Sequence, residues 1–219
     1  MKKAIVITDF DGTITQKDTL VGILDKFAGP KWLKIAALVR SGRLGTKIGL
    51  KKEMALCRVT KKEYIDFLNT DVKIDPTFKN FLRFCEKNKL KVIVVSGGFG
   101  LNIEVVFKKF GIPRLPYYAN IIQFKGNIVK LKYPYTHKAC KTCGHCKAPY
   151  IKRFKDKGYF TIYAGDSVTD RCPAKVADLV FAKHHLAEYC GEKGIPFVPY
   201  TTFGQIKKRL ISKALLFHS

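Results

Sequence analysis

At 219 residues and 47% apolar composition, the chain has room for one large domain, or one domain with an insertion, and for a sizeable core. No apolar run is long enough to span a membrane, and the N-terminus reads as too short and too soon acidic for a signal peptide. The formal net charge of +24 attracts anions: phosphorylated metabolites, nucleic acid or an acidic membrane surface.

The first predicted element is a strand. Ile5-Val6-Ile7-Thr8 is a β-branched run of the kind buried on both faces, and it leads into Asp9-Phe10-Asp11-Gly12-Thr13. Continuing the strand would place Asp9 and Asp11 on one face. Gly12 permits a sharp exit that lifts both carboxylates into the crevice beyond the strand's C-terminal end, where open α/β sheets bind ligands. The plainer explanation is an ordinary Asp-Gly turn. Two acids this close call for a divalent cation, a shared proton or a lysine.

Residues 18 to 71 carry helical stripes. Leu20, Ile23, Leu24 and Phe27 form one, Trp32, Ile35, Ala36 and Val39 a second, and two short helices follow over 50–56 and 64–68. Gly29-Pro30 and Ser41-Gly42 separate them. No strand is expected here, and the segment is longer than one crossover requires. It therefore reads as a helical cap over 16–74, inserted after the first strand of an α/β core made of 1–15 and 75–219. Helices that simply cover the sheet are the alternative.

Asp75-Pro76 starts a helix with Phe78, Phe81, Leu82 and Cys85 on its buried face. Lys91 to Val95 is the second buried strand, ending in Ser96-Gly97-Gly98 before a helix over 101–110. A hydroxyl and unpaired N–H groups at a helix N-terminus suit a phosphate. Tyr117 to Ala119 reads as a third strand. Residues 121–124 and 128–131 form a β-hairpin around Lys125-Gly126-Asn127, either a flap or two edge strands.

A cysteine cluster follows, Cys140-Lys141-Thr142-Cys143-Gly144-His145-Cys146-Lys147. Next come a helix over 149–156 and a strand, Phe160 to Ala164, that ends in Gly165-Asp166-Ser167-Val168-Thr169-Asp170. A short helix over 168–177, strands at 178–182 and 197–198, a helix over 186–190 and a basic amphipathic helix over 203–217 complete the chain. Alternating strands and helices predict a Rossmann-like parallel α/β sheet flanked by helices.

A parallel sheet brings Asp9 and Asp11, Ser96 and Gly97, and Asp166 and Asp170 to one edge. Four carboxylates repel unless a metal is bound, and Mg²⁺ is the natural hard cation for oxygen ligands. Lys147, at the start of the helix before the Gly165-Asp166 strand, adds the positive charge that a phosphoryl group needs.

DFDGT at 9–13, SGG at 96–98, Lys147 and GDSVTD at 165–170 together resemble the haloacid dehalogenase superfamily of aspartyl phosphatases. The insertion after the first motif resembles the cap subclass that includes phosphoserine phosphatase. Cys-Gly-x-Cys-Lys at 143–147, GDSVTDxxxAK at 165–175, Phe181-Ala182, Cys190 and Pro199-Tyr200 look like the methionine-salvage branch, whose members dephosphorylate 2-hydroxy-3-keto-5-methylthiopentenyl 1-phosphate. The resemblance implies that Asp9 is the nucleophile and Asp11 the general acid and base. It implies Mg²⁺ on the Asp9 side chain, the Asp11 backbone carbonyl and Asp166, with Asp170 supporting the metal through water or orienting Lys147. Ser96, Gly97 and Lys147 are the implied phosphate-binding residues. Phosphatases for phosphoserine, for phosphocholine or phosphoethanolamine, or of broad specificity fit the same motifs.

Cys140, Cys143 and Cys146 have C-x₂-C-x₂-C spacing, three thiolates that need Cys172 or a histidine to complete a soft-metal site. Reduced thiols in a tight loop are the alternative. Cysteines without a secretion signal predict a cytoplasmic location. The expected partner is a small phosphorylated metabolite, with no membrane partner. Scattered basic residues without an RNP-like strand or a dense basic stripe do not favour specific nucleic-acid binding.

Overall fold

A computed structural model of the chain describes residues 3–138, 140 and 142–212. Its strands are β1 (Ala4–Thr8), β2 (Lys91–Phe99), β3 (Tyr117–Lys125), β4 (Ile128–Lys132), β5 (Phe160–Gly165), β6 (Leu179–Ala182) and β7 (Val198–Pro199). The helices are α1 (Thr19–Phe27), α2 (Trp32–Arg40), α3 (Thr46–Met54), α4 (Lys61–Thr70), α5 (Phe78–Lys87), α6 (Gly100–Lys109), α7 (Ala148–Asp156), α8 (Arg171–Ala174), α9 (His184–Glu192) and α10 (Phe203–Ser212). The strands form one sheet in the order β4-β3-β2-β1-β5-β6-β7.

The chain divides into two compact units, 1–14 with 74–95 and 147–219, and 15–73 with 96–146. In the first, β1 runs parallel to β2 and β5, with Thr8 opposite Val94 and Ala164. The parallel ladder continues through β6 to β7. All five residues of β1 are buried, which explains why the run carries no polar alternation. The chain leaves β1 for β2 on one side and later returns to β5 on the other. β1 and β5 therefore flank the switch point, the position at which open α/β sheets bind ligands.

Packing of α5 on α10 closes this unit. Phe203 meets Phe78 and Phe81 with ring centroids 4.7 and 5.0 Å away. Asp75 ties the two helices at their starts. It accepts hydrogen bonds from Thr77 N (2.7 Å) and from Phe203 N (2.6 Å). The helix signalled by Asp75-Pro76 thus begins at Phe78, with Asp75 satisfying exposed amides ahead of it.

The second unit contains α1 to α4, α6, and the β3–β4 hairpin. A buried chain of hydrogen bonds links three helices: Tyr64 Oη to Asn102 Oδ1 (2.8 Å), and Asn102 Nδ2 to Thr19 Oγ1 (2.8 Å). The hairpin joins the same unit through Val59 N to Asn127 O (3.1 Å) and a Tyr64–Phe124 edge contact at 5.3 Å. Residues 96–146 thus cluster with the helical segment.

Several local expectations need correction. Tyr117–Ala119 and the first hairpin arm are one continuous strand, β3, because nothing between them breaks the extended backbone. The hairpin forms the antiparallel edge of the sheet, β4 pairing with β3. β2 runs on past Val95 through the Ser-Gly-Gly sequence to Phe99, and α6 starts directly after it. The short helix at 168–177 is a 3₁₀ turn, Val168–Asp170, followed by α8. The last helix is described to Ser212, and the rest of its expected span lies outside the described residues.

Candidate active site

The site starts where β1 stops. Asp9 N still donates to Ala164 O (2.9 Å), but the amides of Thr13 and Ile14 both turn back to Phe10 O. Phe10 is fully buried and anchors that turn. Gly12 sits at φ +71°, a conformation that side chains resist, and an added Cβ would lie 2.5 Å from Asp166 Oδ2. Glycine is therefore required at this position by backbone geometry and by space.

β5 delivers the second group of residues. Asp166 follows the end of the strand, and the 3₁₀ turn places Asp170 beneath it. Asp170 Oδ2 accepts from Asp166 N (3.0 Å) and Ser167 N (2.9 Å). Tyr163, on β5, donates its hydroxyl to Asp170 Oδ1 at 2.5 Å. Lys147 precedes α7, and its Nζ lies 2.6 Å from Asp170 Oδ1 and 2.7 Å from Asp9 Oδ2. Lys147 is 1% exposed, Asp9 3% and Asp170 0%, so water screens none of these contacts.

Burial dictates the protonation pattern. Burial and the charge of Asp170 hold Asp9 well above the usual carboxylate range, against the pull of Lys147. Burial would raise Asp170 as well, but Lys147 and the bonds from Tyr163 and Ser167 outweigh it and hold Asp170 below that range. Burial opposes the charge of Lys147, while Asp170 and Asp9 restore it and push the lysine upward. Tyr163 is raised well above its usual value by burial and by Asp170, and it stays a phenol donor.

Ligand oxygens of Asp9, Asp166 and Asp170 lie within 4.8 Å of one another. Three carboxylates and one ammonium leave a formal charge of −2, which one divalent cation balances. The donors are all hard oxygens, which suits Mg²⁺. They are also oriented: Asp9 Oδ1 accepts from Phe10 N (2.8 Å), and Asp166 Oδ1 accepts from Thr13 Oγ1 (2.7 Å). Asp170 already receives Lys147 and Tyr163 on one oxygen and two amides on the other, so its geometry is that of a group holding Lys147 in place.

Asp11 is buried within the turn after β1. Ser96 and Gly97 belong to the second unit, where Ser96 Oγ accepts from Gly98 N (2.9 Å) and Gly97 O from Asn120 Nδ2 (2.7 Å). Among the described residues, three or more potential metal ligands converge only at Asp9, Asp166 and Asp170. Cys140, Cys143 and Cys146 are each half-buried thiols in the connection that precedes α7.

Three side chains with clear positions here were missed from the sequence. Thr13 lies inside the first motif, which was the available signal for it. Tyr163 read as one more apolar strand residue. Lys183, whose Nζ donates to Thr13 O at 3.3 Å, was one lysine among many.

A phosphatase family described as "Putative Phosphatase" matches residues 4–187. A protein of Brevibacillus brevis named 2-hydroxy-3-keto-5-methylthiopentenyl-1-phosphate phosphatase is 32% identical over 211 residues, 94% of each chain. A Bacillus mycoides protein of the same name is 33% identical over 208 residues, again 94% of each. Among solved structures, a phospho-aspartyl intermediate analogue of phosphoserine phosphatase superposes with a TM-score of 0.73, covering 95% of this chain and 99% of that one at 21% identity. A phosphoserine phosphohydrolase-like protein of Francisella tularensis gives 0.69 at 20%, covering 94% and 98%. The parallel sheet, the acid loops at the ends of β1 and β5 and the family match agree, and this chain belongs to the "Putative Phosphatase" family, with the haloacid dehalogenase-type phosphatase fold.

Proposed function

We propose that the chain hydrolyses a small phosphomonoester by passing its phosphoryl group first to Asp9 and then to water, and that the substrate is the methylthiopentenyl phosphate for which its relatives are named. The observation that carries the chemistry is the buried ion cluster, Asp9 held 2.7 Å from a lysine that Asp170 fixes on its far side. A nucleophilic carboxylate must present one oxygen in a fixed direction and must meet an anion without repelling it. Lys147 meets both needs.

In the first half-reaction an Asp9 oxygen bonds to phosphorus while the substrate's P–O bond breaks. Asp11 gives its proton to the departing alkoxide. In the second, Asp11 takes a proton from water as that water attacks the acyl phosphate, which releases inorganic phosphate and restores the Asp9 carboxylate. Ser96 and Gly97 bind phosphoryl oxygens in this reading. Mg²⁺, held by Asp9, Asp166 and the Asp11 carbonyl, would neutralise charge on the phosphoryl group. Asp170 serves as a positioning residue for Lys147, and segment 16–74 serves as the cap that selects the substrate. A metabolic phosphomonoester as substrate goes with a cytoplasmic enzyme.

Phosphate release is to be measured with and without Mg²⁺ on the methylthiopentenyl phosphate, phosphoserine, phosphocholine and phosphoethanolamine, with Asp9→Asn as control. The expected result is release that requires both Mg²⁺ and Asp9 and is fastest on the methylthiopentenyl compound. Preference for another compound would replace the substrate and keep the chemistry. Release that survives Asp9→Asn would overturn the mechanism.

A further inference from the structure

Between Asp25 and Glu53 every charged residue is a lysine or an arginine. This stretch folds as α2 and α3, joined by a short loop and packed together, with Gly49 against Val39. The outer face of α2 presents Leu33, Lys34, Ala37 and Leu38, at spacings that keep them on one side of the helix. The outer face of α3 presents Ile48, Lys51, Lys52 and, just past its end, Ala55. Lys31, Arg40 and Arg43 are exposed at the helix ends and in the loop. Leu33 and Ile48 are 49% and 50% exposed, and Leu38 39%.

Large aliphatic side chains and cations share these exposed faces, and the one acid of the two helices, the half-buried Glu53, is not among their exposed residues. Each candidate partner must satisfy both features. A second copy of the chain would set cations against cations. Nucleic acid would meet the charge but leave Leu33, Leu38 and Ile48 against a polar backbone, and the exposed faces carry no aromatic ring for bases to stack on. An anionic bilayer meets both needs, because aliphatic groups enter the acyl boundary while lysines stay at the headgroups.

We infer that the α2–α3 hairpin docks the protein on the surface of a membrane rich in anionic lipid. This is surface attachment, since no helix among the described residues is long and apolar enough to cross a bilayer. It departs from the sequence expectation of no membrane partner. It also gives part of the +24 charge a use that the proposed chemistry does not require.

The test is co-sedimentation of the full chain with vesicles of phosphatidylcholine alone, or of phosphatidylcholine mixed with phosphatidylglycerol. Binding to the mixed vesicles and not to the neutral ones is expected. Leu33→Ser/Leu38→Ser/Ile48→Ser and, separately, Lys34→Glu/Lys51→Glu/Lys52→Glu should each weaken that binding by about tenfold or more. Both variants change exposed positions, and unchanged circular dichroism melts would show that they fold. Phosphate release by the parent protein is measured beside sedimentation: binding to the mixed vesicles without phosphate release would keep this inference and overturn the proposed reaction, and release without binding would overturn this inference alone. Absence of sedimentation overturns the inference. So does sedimentation that both variants retain. A serine variant that keeps vesicle binding, while parent and variant bind a single-stranded oligonucleotide equally, would show charge alone at work and would also overturn it.

Discussion

Lys147 is a fully buried lysine, and it remains charged because Asp9 and Asp170 stand on either side of it. Removing one partner of such a cluster leaves the others uncompensated in a medium that solvates them poorly. Lys147→Met is therefore expected to destabilise the protein by about 3–5 kcal/mol in metal-free buffer. Part of that loss should return on adding Mg²⁺, which supplies the missing positive charge. Urea unfolding with and without Mg²⁺ measures both effects, and a variant as stable as the parent would refute the electrostatic account. Tyr163 works one step further out, through its bond to Asp170. Tyr163→Phe keeps the ring and deletes the donor, so a stability loss of about 1–2 kcal/mol is expected. If Tyr163 positions Lys147 through Asp170, kcat should fall while KM changes little. A loss of stability with kcat unchanged would make Tyr163 merely structural.

At the scale of elements, legibility follows the reach of the forces involved. β1, the parallel ladder and the loaded ends of β1 and β5 were readable because β-branched runs and Asp-Gly exits are local signals. The full length of β2 was not, because Ser96-Gly97-Gly98 looks like a strand exit and is held extended by its neighbours. Tyr163 and Lys183 were illegible as site residues because each acts through a contact made by the fold, and Thr13, although inside the first motif, meets its partner Asp166 only across 153 positions. α3 supplies a prediction of the same non-local kind. Glu53 is half-buried, and its carboxyl is pushed up to about 7 by burial and by Asp18, against the pull of Arg40. An acid whose pKa rises on folding is penalised once ionised. The penalty is absent below the unfolded value, grows as pH rises and is complete above about 7. Glu53→Gln should thus match the parent's melting temperature at acid pH and exceed it at pH above that value. Parallel melting curves across pH test this, and a constant difference would place the effect in packing rather than charge.

For the whole molecule, the net charge of +24 sets the long-range field. Such a field opposes compaction through self-repulsion. Exposed ion pairs such as Lys26–Asp71 and Lys62–Asp66 oppose it only weakly, because water and salt screen them. The Lys147 cluster is buried beyond the reach of mobile ions. Added salt therefore removes more repulsion than attraction, and the melting temperature should rise with sodium chloride. For a domain of this size, about 1 kcal/mol of relief corresponds to roughly 2–4 °C. Membrane docking through α2 and α3 draws on the same charge with the opposite sign, and it should weaken as that salt rises. Melting and vesicle sedimentation measured over one salt series would therefore move in opposite directions. A melting temperature that fell with salt would mean that surface ion pairs, and not relief of repulsion, dominate the electrostatics of this fold.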